Sequence, residues 1–224
     1  MPLMPPDFDQ WFAPGAGANP DRKRVTVQLD RGWLSLPTGH VVAIEPGYVP
    51  DADQYAFIQT VPPGRYPVIL LIAEYRESSE PNAELTDERV AAARLVIRGG
   101  PVTAWEMALR NGQSIGDLSG SGYYGYQVDR GMGCFTDAQA LKGLLADGDM
   151  KWLEDLRRDV PDRPTVPTTV MDPNDEPVLV AFTTGHGDGA YPTWVGRTAS
   201  GDIACFVTDF FPVTQHGQMA VPRG

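Results

Sequence analysis

Residues 66–73 read Tyr66-Pro67-Val68-Ile69-Leu70-Leu71-Ile72-Ala73, and seven of these eight side chains are apolar. A strand with one wet face alternates apolar and polar residues, so an unbroken apolar run of this length predicts a strand buried on both faces. Pro62-Pro63-Gly64 supplies a turn just before it. Upstream, Val25-Thr26-Val27-Gln28-Leu29 alternates with a period of two, as a half-buried strand does. Trp33-Leu34-Ser35-Leu36, a turn at Pro37-Thr38-Gly39, and Val41-Val42-Ala43-Ile44 predict a hairpin stopped by Pro46-Gly47.

Downstream, residues 74–88 carry six acids and read as a loop. Residues 89–97 (RVAAARLVI) contain three alanines that suit a helix, but the β-branched end and the Gly99-Gly100 stop favour a strand. Residues 105–109 suit a short strand or a turn of helix, and the polar, glycine-rich stretch 112–125 reads as loop. Two helices follow. Thr136 or Asp137 can cap one with Leu141, Leu144 and Leu145 on a single face, and Asp149 can cap a second with Leu153, Leu156 and Val160 in line before Pro161. Residues 162–177 read as a proline-rich linker, and 178–211 as a closing hairpin around a glycine-rich turn.

Strands therefore flank a short helical insert near 137–160, and no βαβ rhythm appears. The expected class is α+β, predominantly antiparallel β, as a sandwich or a strongly bent sheet. The expected organisation is an N-terminal arm (1–24), pinned by Phe8, Trp11 and Phe12 if it is ordered, one β-rich domain (25–212), and a loose C-terminal tail (213–224).

With 224 residues the chain needs no disulfide or structural metal to fold. Two cysteines, Cys134 and Cys205, are too few for a disulfide framework, and each sits in an apolar run that suits a buried, reduced thiol. No apolar run approaches the ~20 residues that cross a bilayer, and the N-terminus lacks the pattern of a secretory signal. A cytoplasmic protein is expected, with no membrane association. The net charge of −11 disfavours nucleic acid and favours a basic protein partner. The acids concentrate in 74–88 and 147–176, where a solvated face is the competing explanation.

Common catalytic signatures fail on context. Gly120-Ser121-Gly122-Tyr123-Tyr124-Gly125 matches the dinucleotide fingerprint in letters, but Tyr126-Gln127-Val128 after it is strand-like where the chemistry needs a helix N-terminus. Ser121 lacks a nucleophile elbow, and the three histidines have no ligand spacing. Two segments rise above this background. In residues 125–137 the carboxylates of Asp129 and Asp137 bracket a glycine-rich turn containing Cys134. In residues 184–194, His186 and Asp188 lie in a glycine-rich loop ahead of Tyr191 and Trp194, leading toward Asp209. These eight residues are the binding candidates. Asp129, Asp137 and Asp188 could hold a hard cation such as Ca²⁺ or Mg²⁺, although no cofactor is expected, and each also has an ordinary turn-forming or capping role.

The combination LPTGHVVAIEP, VPPGRYPVIL, ERVAAARLVI, WEMAL, GYQVDRGMGCFTD and GHGDGAYPTWVGR resembles a bacterial family of single-domain proteins of unknown function, over residues 30–211. Glu45 departs from the aspartate expected there before the proline, which counts against a metal ligand at that position. The resemblance implies no activity. By analogy, small acidic bacterial domains often serve as immunity partners of toxins. Two functions are thus in view: a protein-binding module of immunity or inhibitor type, or a metal-assisted hydrolase using the acids of the two glycine-rich segments.

Overall fold

The computed structural model describes residues 1–12, 23–47, 52–78, 83–146, 148–210 and 222–223. The chain opens with one helical turn, α1 (Phe8–Trp11), then runs through β1 (Lys23–Leu36), β2 (His40–Ile44), β3 (Ala56–Thr60), β4 (Gly64–Arg76), β5 (Leu85–Val96) and β6 (Ala104–Met107). Next come β7 (Tyr123–Tyr124), β8 (Tyr126–Val128), β9 (Met132–Asp137), α2 (Ala138–Ala146) and α3 (Lys151–Asp162). The last elements are β10 (Thr168–Met171), β11 (Pro177–Thr183), β12 (Gly189–Tyr191), β13 (Thr193–Arg197), β14 (Ile203–Asp209) and β15 (Pro222–Arg223).

Two antiparallel sheets face each other, one ordered β1-β4-β5-β14-β13-β6 and the other β10-β11-β9-β2-β3. Alternate residues of β4 explain its unbroken apolar run. Val68, Leu70 and Ile72 point into the core between the sheets, where Leu34, Phe135 and Phe182 meet them. Leu71 and Ala73 point the other way and pack with Leu3, Phe8 and Trp194. The second sheet is covered in the same manner. Val180 and Phe182 face the central core, while Leu179 and Ala181 lie with Leu141, Leu156 and Val160 of the two helices. The expected α+β, antiparallel class is what the chain forms. The N-terminal arm is pinned as its aromatics allow: the Phe8 ring lies 4.8 Å from that of Trp105 and 5.4 Å from that of Trp11.

Several local expectations need correction. Residues 33–44 are no hairpin, because β1 pairs with β4 in the first sheet while β2 pairs with β3 and β9 in the second. The turn at Thr38-Gly39 is instead a corner between sheets, with Gly39 at φ +72° so close to the Val61 carbonyl that a Cβ would collide with it. Likewise β11 and β13 belong to different sheets, and the true hairpin is β13–β14. Both ends of the acidic stretch 74–88 are strand, residues 74–76 in β4 and 85–88 in β5, which pair from Ile72↔Val90 to Arg76↔Leu85. The linker 162–177 contains β10, and Pro161 lies inside the last turn of α3, with the Arg163 amide closing on the Val160 carbonyl at 3.3 Å. Of the C-terminal tail, Pro222–Arg223 pairs with β7 and residues 211–221 lie outside the described residues.

Asp137 locks the corner. It is fully buried, and its carboxylate accepts the Thr38 amide at 3.0 Å, the Thr38 hydroxyl at 2.9 Å and the Gln139 amide at 2.9 Å. One side chain therefore ties the β1–β2 corner to the end of β9 and caps α2 as expected. Removing a buried charged acceptor that holds three donors is costly, and Asp137→Ala should destabilise the domain by about 3 kcal/mol. Urea unfolding checks this as a fall in midpoint at unchanged slope.

Candidate functional site: the rim where two glycine-rich loops meet

The two segments singled out by composition come together. β8 pairs with β12 in the register Val128↔Gly189, Gln127↔Ala190 and Tyr126↔Tyr191, forming a short ribbon. Beyond one end of it, the loop 129–131 and the loop 184–188 are joined by the Thr184 amide donating to the Gly131 carbonyl at 2.9 Å. Gly131 (φ +62°) and Gly187 (φ +80°) both take the left-handed conformation that glycine adopts without steric cost. A Cβ on Gly131 would stand 3.6 Å from the Gly187 Cα, so the loops are in direct contact. The 184–188 loop is also tied to itself. The Thr184 hydroxyl donates to the Gly187 carbonyl at 2.6 Å and the Tyr191 phenol donates to the same oxygen at 2.9 Å.

Three carboxylates gather at this rim. One was not among the sequence candidates. Glu45, at the end of β2, accepts the Asp129 amide on Oε2 at 2.8 Å, while its Oε1 is buried with no hydrogen bond among the described residues. Burial raises the Glu45 pKa, the Asp129 amide opposes that, and the charges of Asp129 and Asp188 push it up again against Arg130. Beside the acids runs a groove of about 330 Å³ lined by Arg130, Met132, Arg157, Val160, Pro161 and Thr183. Met132 and Val160 give it an apolar floor, while Arg130 and Arg157 are exposed.

The sequence candidates divide by place. Asp129, His186 and Asp188 are exposed on the rim, and Tyr191 braces the loop from below. Asp137 lies at the far end of β9 and is occupied with Thr38 and Gln139, so it does not join Asp129 and Asp188. Cys134 is fully buried among α2, α3 and the second sheet, away from the exposed His186, and burial drives its thiol pKa upward. Trp194 is buried on the outer face of the first sheet with Nε1 lacking a partner among the described residues. Asp209 is buried at the end of β14, and its amide donates to the Pro192 carbonyl at 3.0 Å. Among the described residues no group of three or more His, Cys, Asp or Glu has the arrangement of a metal site.

A family model of proteins of unknown function, DUF4241, matches residues 34–208, and the chain belongs to that family. No curated protein and no solved structure matches the chain. Among the described residues no helix is long and apolar enough to cross a membrane.

Two predictions come from this geometry. Glu45 should titrate above its ordinary 4.5, since burial is the largest influence on it. Asp129→Asn should lower its midpoint and Arg130→Gln should raise it, as followed by carboxyl NMR. The folded state holds the Glu45 proton more tightly than the unfolded chain. Its contribution to stability therefore falls as pH rises from the unfolded pKa through the folded one, and Glu45→Gln should flatten that part of the profile. Separately, Cys134 and Cys205 are both buried free thiols whose pKa values are raised chiefly by burial. Both should resist a thiol reagent until the protein is unfolded; rapid labelling of Cys134 in the native protein would contradict its burial.

Proposed function

We propose that the protein is a binding module for a basic protein partner, in the manner of an immunity or inhibitor domain, and that the partner docks on the rim formed by residues 129–131 and 184–188. The observation that carries this reading is the clustering of Glu45, Asp129 and Asp188 by the Thr184–Gly131 hydrogen bond, close enough for the two aspartates to raise the Glu45 pKa. Carboxylates held together in this way keep an unfavourable mutual repulsion that an incoming cationic surface relieves. The net charge of −11 would steer such a partner toward the protein and repel phosphate backbones. Loops already braced by Thr184 and Tyr191 have little ordering entropy left to lose on binding. The neighbouring groove, with Met132 and Val160 at its floor, offers a pocket for one anchoring side chain.

A metal-assisted hydrolase is the weaker reading, because it drew on Asp137, whose oxygens hold the corner and cap α2. Two buried thiols without a disulfide suit a reducing, cytoplasmic setting.

The test is affinity capture from the native cell with the wild type and with the triple variant Glu45→Gln, Asp129→Asn, Asp188→Asn, each eluted by increasing salt. The expected outcome is one basic protein retained by the wild type at low salt and at least tenfold less by the variant. Equal retention by both would overturn the reading.

A further inference from the structure

The other end of the β8–β12 ribbon holds a different chemistry. A cleft there is lined by residues from both glycine-rich segments (Gly125, Tyr126, Tyr191 and Thr193), together with Arg110 and Gln113. Arg110 reaches it from the chain after β6, where its backbone bridges to Phe57 of β3. The guanidinium is half-buried. It lies 4.8 Å over the Tyr55 ring, and one of its nitrogens donates to the Ala43 carbonyl at 3.1 Å.

What Arg110 lacks is a counterion. The ion pairs among the described residues join Arg76 to Glu74, Arg89 to Asp87, Arg98 to Asp202, Lys142 to Asp53, Arg158 to Asp155 and Asp159, and Arg197 to Glu106. Arg110 is in none of them, although the chain has 29 acids against 18 lysines and arginines. A guanidinium offers five donors in a fixed fork, and a single carbonyl with a cation–π contact leaves most of that capacity unused. Burying a charge without an opposite charge is unfavourable, and such sites are ordinarily neutralised or paired. Gln113 answers only the backbone, its Oε1 accepting the Arg110 amide at 2.8 Å.

We propose that this cleft binds a small monoanion on Arg110, either a halide ion or the carboxylate tip of a larger molecule. The size of the space sets the class. The enclosed part of the cleft has room for about one water-sized group. That space suits a small anion, a halide or the end of a carboxylate whose stem stays in solvent, better than a tetrahedral phosphoryl group. Arginine suits either, as a weakly hydrated cation whose planar fork also matches a carboxylate. The site is separate from the acidic rim and does not depend on its partner.

The test uses the full-length protein at constant ionic strength, replacing sodium methanesulfonate, whose tetrahedral head is too bulky for the cleft, stepwise by sodium chloride or by sodium formate. Thermal unfolding and ³⁵Cl or ¹³C-formate line broadening are followed together. The expected result is a saturable rise in melting temperature of about 5 °C with at least one of the two anions, accompanied by line broadening that Arg110→Gln abolishes. Saturation by chloride alone assigns a halide site, and saturation by formate alone or by both assigns a carboxylate-accepting site. Gln113→Glu keeps the surrounding packing and places a carboxylate on the same cleft. It should raise the melting temperature in methanesulfonate and remove the response to added chloride or formate, which keeps the test decisive if Arg110→Gln does not fold. No saturable response from the wild type to either anion, or an undiminished response in Gln113→Glu, would overturn the proposal.

Discussion

The central strands of both sheets are buried on both faces, and most of the other properties of the protein follow from that constraint. A sandwich of two sheets ordinarily hides only the inner faces and leaves the outer ones to water. Here the N-terminal segment with Phe8 covers one outer face, and α2 with α3 covers the other. The strands must then be apolar on alternate and intervening residues alike, as in β4, β9 and β11. Such a molecule has little exposed sheet face on which to build a site. Recognition is pushed to the rims, where strands end and loops begin.

The β8–β12 ribbon organises one such rim. At one end three carboxylates crowd together beside Arg130, and burial, helped by the charges of Asp129 and Asp188, raises the pKa of Glu45. At the other end a guanidinium stands without a carboxylate, and burial lowers its pKa. A charge imbalance of opposite sign at each end of a three-residue pairing is not what folding stability alone selects. Like charges held close together, and a cation held away from acids, both disfavour the folded state. That is the physical ground for reading both ends as sites.

Much of the fold was legible in the sequence because burial writes directly into composition. The double-faced strand at Val68–Ala73, the two helices with their leucine stripes, the Asp137 cap and the buried cysteines are local statements that local patterns carry; the second helix instead has Met150 at its N-cap, with Asp149 one residue earlier accepting the Lys151 amide. Sheet membership was not legible. Pro37-Thr38-Gly39 is equally good chemistry for a hairpin turn or for a corner, and the choice rests on Asp137, which lies 99 residues away. The glycine-rich segments were correctly marked as special, and their contact through Gly131 and Gly187 gives the reason for some of those glycines. Glu45 was weighed only as a metal ligand and set aside, and Arg110 escaped notice. Each lies far along the chain from the partners that make it unusual, and an isolated glutamate or arginine carries no signal until those partners are placed. Asp137, by contrast, had the right composition around it and a structural role.

The order in which the second sheet is assembled has a consequence for how the chain is made. β9 pairs with β2 on one side and with β11 on the other, so the sheet closes only when residues 132–137 and 177–183 are available to residues 40–44. On a ribosome, the apolar strand Val41–Ile44 emerges with β3 soon after it but long before its other partner, β9. Closing such a distant pairing must be paid for in chain entropy before any contact rewards it, which slows folding. During that delay the nascent chain carries an unpaired apolar edge, the kind of surface that aggregates. The yield of folded protein in a cell should therefore be set by how quickly the later half follows the earlier one, and by chaperone cover during the interval, more than by the stability of the finished molecule.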